Sequence, residues 1–201
     1  MVRPEVAAIH EVSGGDCDMD RAMADLTTLP HQFDEKTRTC RVIIETPKGS
    51  RNKFDYDPQT NLFALGGLLP EGMFFPFDFG FIPSTRGEDG DPLDVLVLMD
   101  APAHVGCLLD VRLVGVIEAE QSEKGKKESN DRLLAVAVHS YQHEHVQSIK
   151  EVSTTLLSQV EEFFISYNKQ RGKKFAVKDT GGPKKAIDRL KAGIRAGQGG
   201  S

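Results

Sequence analysis

Basic residues are in deficit in this 201-residue sequence: 25 Lys and Arg against 30 Asp and Glu leave a formal charge of −5. That balance argues against a binder of nucleic acid or of anionic membranes, which needs a basic face. Cysteine is scarce. Cys17, Cys40 and Cys107 are odd in number and far apart, so they make neither a disulfide framework nor a CxxC pair. They read as reduced thiols in a cytoplasm. No apolar run approaches the roughly 20 residues that span a bilayer. The opening MVRPEVAAIHEVSGGD lacks the basic-then-apolar layout of a secretory signal. Also missing are a Walker A loop, a GxGxxG fingerprint, a nucleophile elbow and an HExxH pair. With 39% hydrophobic residues the chain is long enough for one core domain without disulfides or a structural metal.

Residues 1–38 are rich in Gly, Asp and polar side chains, with a short apolar patch at 22–29, and read as a partly ordered arm that packs on the body or on a neighbouring subunit. The body is expected over 39–196, with a frayed tail at 197–201. Apolar, β-branched or Phe-rich runs at 41–45, 53–56, 62–69, 73–82, 94–98, 106–118 and 133–138 are separated by turn residues with no helical period between them. This pattern predicts a closed antiparallel barrel. The stretch 122–130 (SEKGKKESN) reads as a polar, mobile loop. Then the period changes. Val152, Leu156, Leu157, Val160, Phe163, Phe164 and Tyr167 form one helical stripe. A second helix is expected to start at Pro183 and to pack through Ile187, Leu190 and Ile194. The fold class is α+β, mainly β, a barrel flanked by two C-terminal helices.

Chemistry concentrates at Glu88-Asp89-Gly90-Asp91-Pro92-Leu93-Asp94, four acids in seven residues. Convergence of Asp89, Asp91 and Asp94 at about 5 Å costs roughly 3 kcal/mol per pair at an effective dielectric near 20, which a cation would offset. Hard oxygen donors favour Mg²⁺, Mn²⁺ or Ca²⁺ over Zn²⁺. The same residues also suit a solvated turn. An EF-hand is excluded: its sixth position needs Gly and holds Asp94, and a β-rich run follows. Upstream, Lys48, Arg51 and Lys53 lie near Glu45 and Asp55. That mixture is either a surface ion-pair ladder or a grip on an anionic, metal-bound substrate. On the long helix, Tyr167 precedes Asn168, Lys169, Arg171, Lys173 and Lys174, which reads either as a phosphate-binding end or as a core tyrosine with cations complementing the macrodipole. Of the six histidines, His139, His143 and His145 cluster in one loop and read as surface.

The segment Asp89 to Val95, DGDPLDV, resembles the D-x-D-P-x-D-V signature of soluble family I inorganic pyrophosphatases. The resemblance extends from about residue 40 to 190. VIIETP at 42–47 with Lys53-Phe54-Asp55 is similar to the family's early strand pair. FPFDFGFI at 75–82 is similar to its YPxNYGYI segment, and Phe163-Phe164 with Tyr167 to the helix that supplies its late tyrosine. The resemblance implies a five-stranded OB-like barrel and hydrolysis of pyrophosphate to two phosphates with Mg²⁺, Mn²⁺ being an alternative. It further implies in-line attack by a water that two cations share and acidify. Relatives are dimers or hexamers, so a homo-oligomer is implied; a nucleic-acid or membrane partner is not. By this resemblance Asp89 and Asp94 bind the activating metals, Asp91 accepts a proton from the attacking water, and Glu45 and Asp55 act around substrate-bound metals. Lys53 and Tyr167 hold phosphoryl oxygens.

Several positions depart from the family pattern. An arginine expected after the third strand is replaced within Ala64-Leu65-Gly66-Gly67, which removes a bidentate phosphate donor. Two tyrosines are Phe75 and Phe79. The lysine expected after the late tyrosine is Asn168, with Lys169 one residue on as a candidate for substrate binding. In the second acidic cluster, D-E-x-G-x-D-x-K in the family, Arg132 stands for the lysine. Either Asp131 enters the metal site or Asn130 leaves it weaker, and both Glu120 and Glu123 are candidates for the earlier acid. These departures leave a second reading open: a metal-dependent module that binds pyrophosphate or another phosphorylated ligand without cleaving it.

Overall fold

The computed structural model describes residues 25–199; the part of the expected arm at 1–24, with Cys17, and the last two residues of the tail lie outside them. The elements follow in the order β1 Thr39–Thr46, β2 Asn52–Asp57, β3 Leu62–Leu68, β4 Asp78–Ile82, β5 Leu93–Leu98, β6 Leu108–Glu123, β7 Lys126–Ser129, β8 Arg132–Ala137, α1 Thr154–Gln170, β9 Lys174–Gly181 and α2 Pro183–Gln198.

Five strands form a ring. The order β1-β4-β5-β8-β6 is closed by pairing of β1 with β6, so each of the five has a partner on both sides. Strand β6, at 16 residues, is long enough to pair with β1 at its start, β8 in its middle and both β7 and β9 beyond. β2 and β3 make a separate hairpin. Strand β8 is buried along its whole length and β5 over Val95–Leu98, and their side chains divide by parity. Val95, Val97, Leu133 and Ala135 join the core under α2, with Ala186 and Leu190. Leu96, Leu98, Leu134 and Val136 join the core under α1, with Val160 and Phe164. Strands covered on both faces read as continuous apolar runs, as LDVLVL and RLLAVA do.

The structure departs from the sequence-based expectation in four places. The ring is not wholly antiparallel, because β5 and β8 run parallel. The stretch 122–130 is a hairpin rather than a mobile loop: β6 turns into β7 over Lys124 and Gly125, both at positive φ (50° and 87°), the geometry of a tight two-residue turn. The run 73–82 shortens to β4, because Pro76 cannot donate to a ladder. Strand β9 was not anticipated; only Phe175 and Gly181 in it are buried, too few to show alternation. The two helices match the predicted stripe and the predicted Pro183 start, and α2 continues to Gln198.

Gly80 sits where β4 crosses β1. A Cβ there would lie 2.0 Å from the Ile43 carbonyl oxygen, a backbone atom that cannot swing aside. Gly80→Ala should therefore cost about 3 kcal/mol or more in denaturant unfolding. A loss below about 0.5 kcal/mol would show that the two strands can part.

Candidate active site

The acidic motif and the upstream basic residues meet because of strand register. Since β5 and β8 are parallel with Val95 beside Leu133, the preceding residues Asp94 and Arg132 are neighbours, and Arg132 Nη1 contacts Asp94 Oδ2 in an ion pair. The turn after β1 folds β2 back along it. Glu45 at the end of β1 thereby faces Lys53 and Asp55 on β2. Lys53 Nζ is 3.5 Å from Glu45 Oε2 and 2.5 Å from Asp55 Oδ1, and it donates to the Phe54 carbonyl at 2.9 Å. The loop before β5 carries Asp89 and Asp91, and the end of α1 carries Tyr167. All of these line one cleft of about 510 Å³.

Six carboxylates line it, from Glu45, Asp55, Asp89, Asp91, Asp94 and Glu128, against four cations, Lys53, Arg132, Arg171 and Lys173. The acids show the strain. Burial pushes the Glu45 carboxyl up to about 7, against the pull of Lys53 and the Tyr56 N–H, which donates to Oε1 at 2.9 Å. Burial raises Asp91, with Asp89 and Asp55 adding like charge. Burial also raises Asp94, where Asp89 and Asp91 add to the effect and Arg132 and Lys53 oppose it. For Lys53 burial pulls the other way, but Glu45 and Asp55 outweigh it and hold the ammonium above its ordinary value.

Phe75 and Phe79, where the resemblance would place tyrosines, are both buried, and Phe79 serves as a platform for cations. Lys53 Nζ lies 5.0 Å from the Phe79 ring centroid, and the Arg132 guanidinium lies 5.7 Å from Phe79, 5.4 Å from Phe164 and 6.0 Å from Phe175. Cations on ring faces gain from the aromatic quadrupole, more so where water is excluded. A Cβ at Gly66 would fall 1.6 Å from Asp55 Oδ2, so glycine leaves room for that carboxylate in its present position.

Not every candidate residue reaches the cleft. Glu120 faces the other side of β6, where it pairs with Lys127 at 2.9 Å and Lys178 at 3.7 Å. Asp131 also points away: Arg189 Nε is 2.9 Å from its Oδ2, and the Ala119 N–H donates to its Oδ1 at 3.1 Å. Lys169 is exposed on α1 and does not line the cleft, and Glu123 pairs with Lys173 at 3.3 Å. The alternating faces of paired strands explain the swap. Gln121 lies opposite Glu128, both line the cleft, and Asn130 Nδ2 donates to Gln121 Oε1 at 3.1 Å. Glu128 and Gln121 line the cleft although sequence reasoning did not single them out; Arg171 and Lys173, which also line it, come from the helix-end stretch that read either as phosphate-binding or as complementing the macrodipole.

Among the described residues no group of three His, Cys, Asp or Glu side chains is gathered tightly enough to cage an ion by itself. The donor set nevertheless fits a hard divalent cation. Its oxygens are crowded like charges, and Asn130 Oδ1 is buried on the same wall without a hydrogen-bond partner. Mg²⁺ takes one or two protein carboxylates and fills the remaining positions with water and substrate phosphates, so a loose carboxylate cluster suits it better than a closed cage would.

Comparison with known proteins gives a consistent result. A family model described as inorganic pyrophosphatase matches residues 42–198. The inorganic pyrophosphatase of Thermus thermophilus is 37% identical over 152 residues, covering 76% of this chain and 84% of that protein. That of Synechocystis is 37% identical over 143 residues, covering 71% and 81%. A crystal structure of the Thermus thermophilus enzyme superimposes with a TM-score of 0.79 at 34% identity, over 87% of this chain and 99% of the other.

The raised Glu45 carboxyl has a measurable consequence in chelator-treated protein. An acid whose folded pKa lies above its unfolded value loses stability as pH rises through the gap between them. Between about pH 4.5 and 7, the parent should fall relative to Glu45→Gln by up to about 3 kcal/mol in denaturant unfolding. Parallel pH profiles for the two proteins would contradict the burial of an ionisable Glu45.

Proposed function

Since the chain belongs to the inorganic pyrophosphatase family, we propose that this hydrolase cleaves inorganic pyrophosphate to two phosphates with Mg²⁺, and that Mn²⁺ can replace it. The observation that carries the reading is the meeting of six carboxylates and four cations in one cleft, a surface suited to a polyanion that arrives with its own counter-cations. Asp89, Asp94, Glu45 and Asp55 would hold the cations. Bound there, a divalent cation supplies Lewis-acid chemistry, polarising phosphoryl oxygens and acidifying water.

The chain's own residues do the rest. Lys53, Arg132 and Tyr167 hold phosphoryl oxygens, and the Phe79 platform keeps the first two cations in place. Water attacks one phosphorus in line, the bond from that phosphorus to the bridging oxygen breaks, and the second phosphate departs. The proton of the attacking water goes to Asp91, whose carboxyl burial and its acidic neighbours hold above the ordinary value, closer to the range useful to a general base. The pairing of Arg132 with Asp94 in the substrate-free cleft keeps a buried carboxylate compensated until a cation takes it over. A cytoplasmic setting and a homo-oligomer, dimer or hexamer, belong to the same reading. The exposed Leu62, Leu65 and Leu68 of β3 support self-association.

The test is phosphate release from pyrophosphate with Mg²⁺, with Mn²⁺ and with chelator. Release should require the cation, and Asp91→Asn should lower turnover about 100-fold or more while leaving Mg²⁺ affinity in place. One observation favours the alternative of binding without cleavage: Asn130 is neutral where the family pattern has an acid, and its amide is tied to that of Gln121. Tight, cation-dependent binding of pyrophosphate with no phosphate released would establish that alternative.

A further inference from the structure

Of the four cations in the cleft, three are engaged by carboxylates: Lys53 by Glu45 and Asp55, Arg132 by Asp94, and Lys173 by Glu123. Arg171 is different. Among the described residues it has no carboxylate partner; its guanidinium lies 5.3 Å from the Tyr167 ring centroid, and Nη1 donates to the Tyr167 hydroxyl. Its backbone is fixed as the C-cap of α1, with its N–H bonded to the Asn168 carbonyl at 3.0 Å. A guanidinium tethered to a tyrosine hydroxyl and set against its ring is oriented by both contacts and retains several N–H groups for an anion. In a cleft rich in carboxylates, a cation left unpaired is available to the substrate.

A second observation concerns what β3 does not provide. The residue paired with Lys53 across the β2–β3 hairpin is Gly67. Directly opposed residues project from the same face of a hairpin, so this position would carry a strand-borne guanidinium to the face that Lys53 uses, and glycine carries none. The space is open: a Cβ at 67 meets nothing within 4 Å.

We propose that Arg171 is a substrate-binding residue, the guanidinium that grips a phosphoryl group of pyrophosphate from the end of α1 in place of an arginine on β3. The inference rests on the pyrophosphatase reading of the cleft. A planar guanidinium pairs with two phosphoryl oxygens at once, an interaction that a single ammonium cannot reproduce. A helix-end cation that only complements the macrodipole would contribute to stability instead, and would leave substrate affinity alone.

The two roles separate experimentally. Arg171→Gln should raise KM for magnesium pyrophosphate by about 10- to 100-fold, the loss of a charge-assisted hydrogen-bonded contact, with the melting temperature unchanged. Adding Gly67→Arg to that variant should recover most of the affinity, whereas Gly67→Arg alone should change KM much less. Calorimetric binding of methylenebisphosphonate with Mg²⁺ should rank the variants in the same order without any turnover. If the parent released no phosphate while Arg171→Gln still weakened bisphosphonate binding, hydrolysis would be refuted and the role of Arg171 upheld. An unchanged KM and unchanged bisphosphonate affinity in folded Arg171→Gln would overturn the proposal, as would a fall in melting temperature without a change in affinity.

Discussion

Like charge crowded into a half-buried cleft is the constraint on which this structure turns. Glu45, Asp55, Asp89, Asp91 and Asp94 share one cavity, and two buried cations keep them together: Lys53 between Glu45 and Asp55, and Arg132 against Asp94. Removing one partner from such a pair leaves an uncompensated buried charge, which is far more costly than the pair itself is stabilising. The ring of strands exists in a form that keeps these groups in register. Its parallel β5–β8 pair sets Asp94 beside Arg132, and its closure through β1 and β6 brings Glu45 to the same end.

Much of this was legible in the residues. The four acids between Glu88 and Asp94, the β-branched strands and the apolar stripe from Val152 to Tyr167 each carry a local signal that survives in the fold. What the sequence could not show depends on pairing. One residue of register decides which face of a strand a side chain takes, so Glu120 and Gln121 exchange the roles that charge alone would assign. The same alternation turns Asp131 toward Arg189 while Asn130 and Arg132 face the cleft. The parallel pair was hidden because both strands are uniformly apolar, a pattern that carries no direction.

The replaced tyrosines show how a site can change its chemistry while keeping its shape. Phe75 and Phe79 have no hydroxyl for phosphate, yet their rings pack together in the core, and Phe79 carries Lys53 and Arg132 on its face. Aromatic packing from Phe79 through Phe164 to Phe175 then links the floor of the cleft to α1 and β9, the elements that flank Arg171 and Lys173. In the proposed function the anion is therefore held mainly by guanidinium and ammonium groups, since positions 75 and 79 offer no hydroxyl.

The central claim is that the crowded carboxylates are a cation site waiting for its charge. The most direct measurement is the melting temperature of the parent protein in chelator and in millimolar Mg²⁺, with no substrate present. Relief of carboxylate repulsion predicts a rise that grows with Mg²⁺ concentration and is reversed by chelator, as linkage requires of an ion that binds the folded state. A melting temperature that is the same in both conditions would contradict the account.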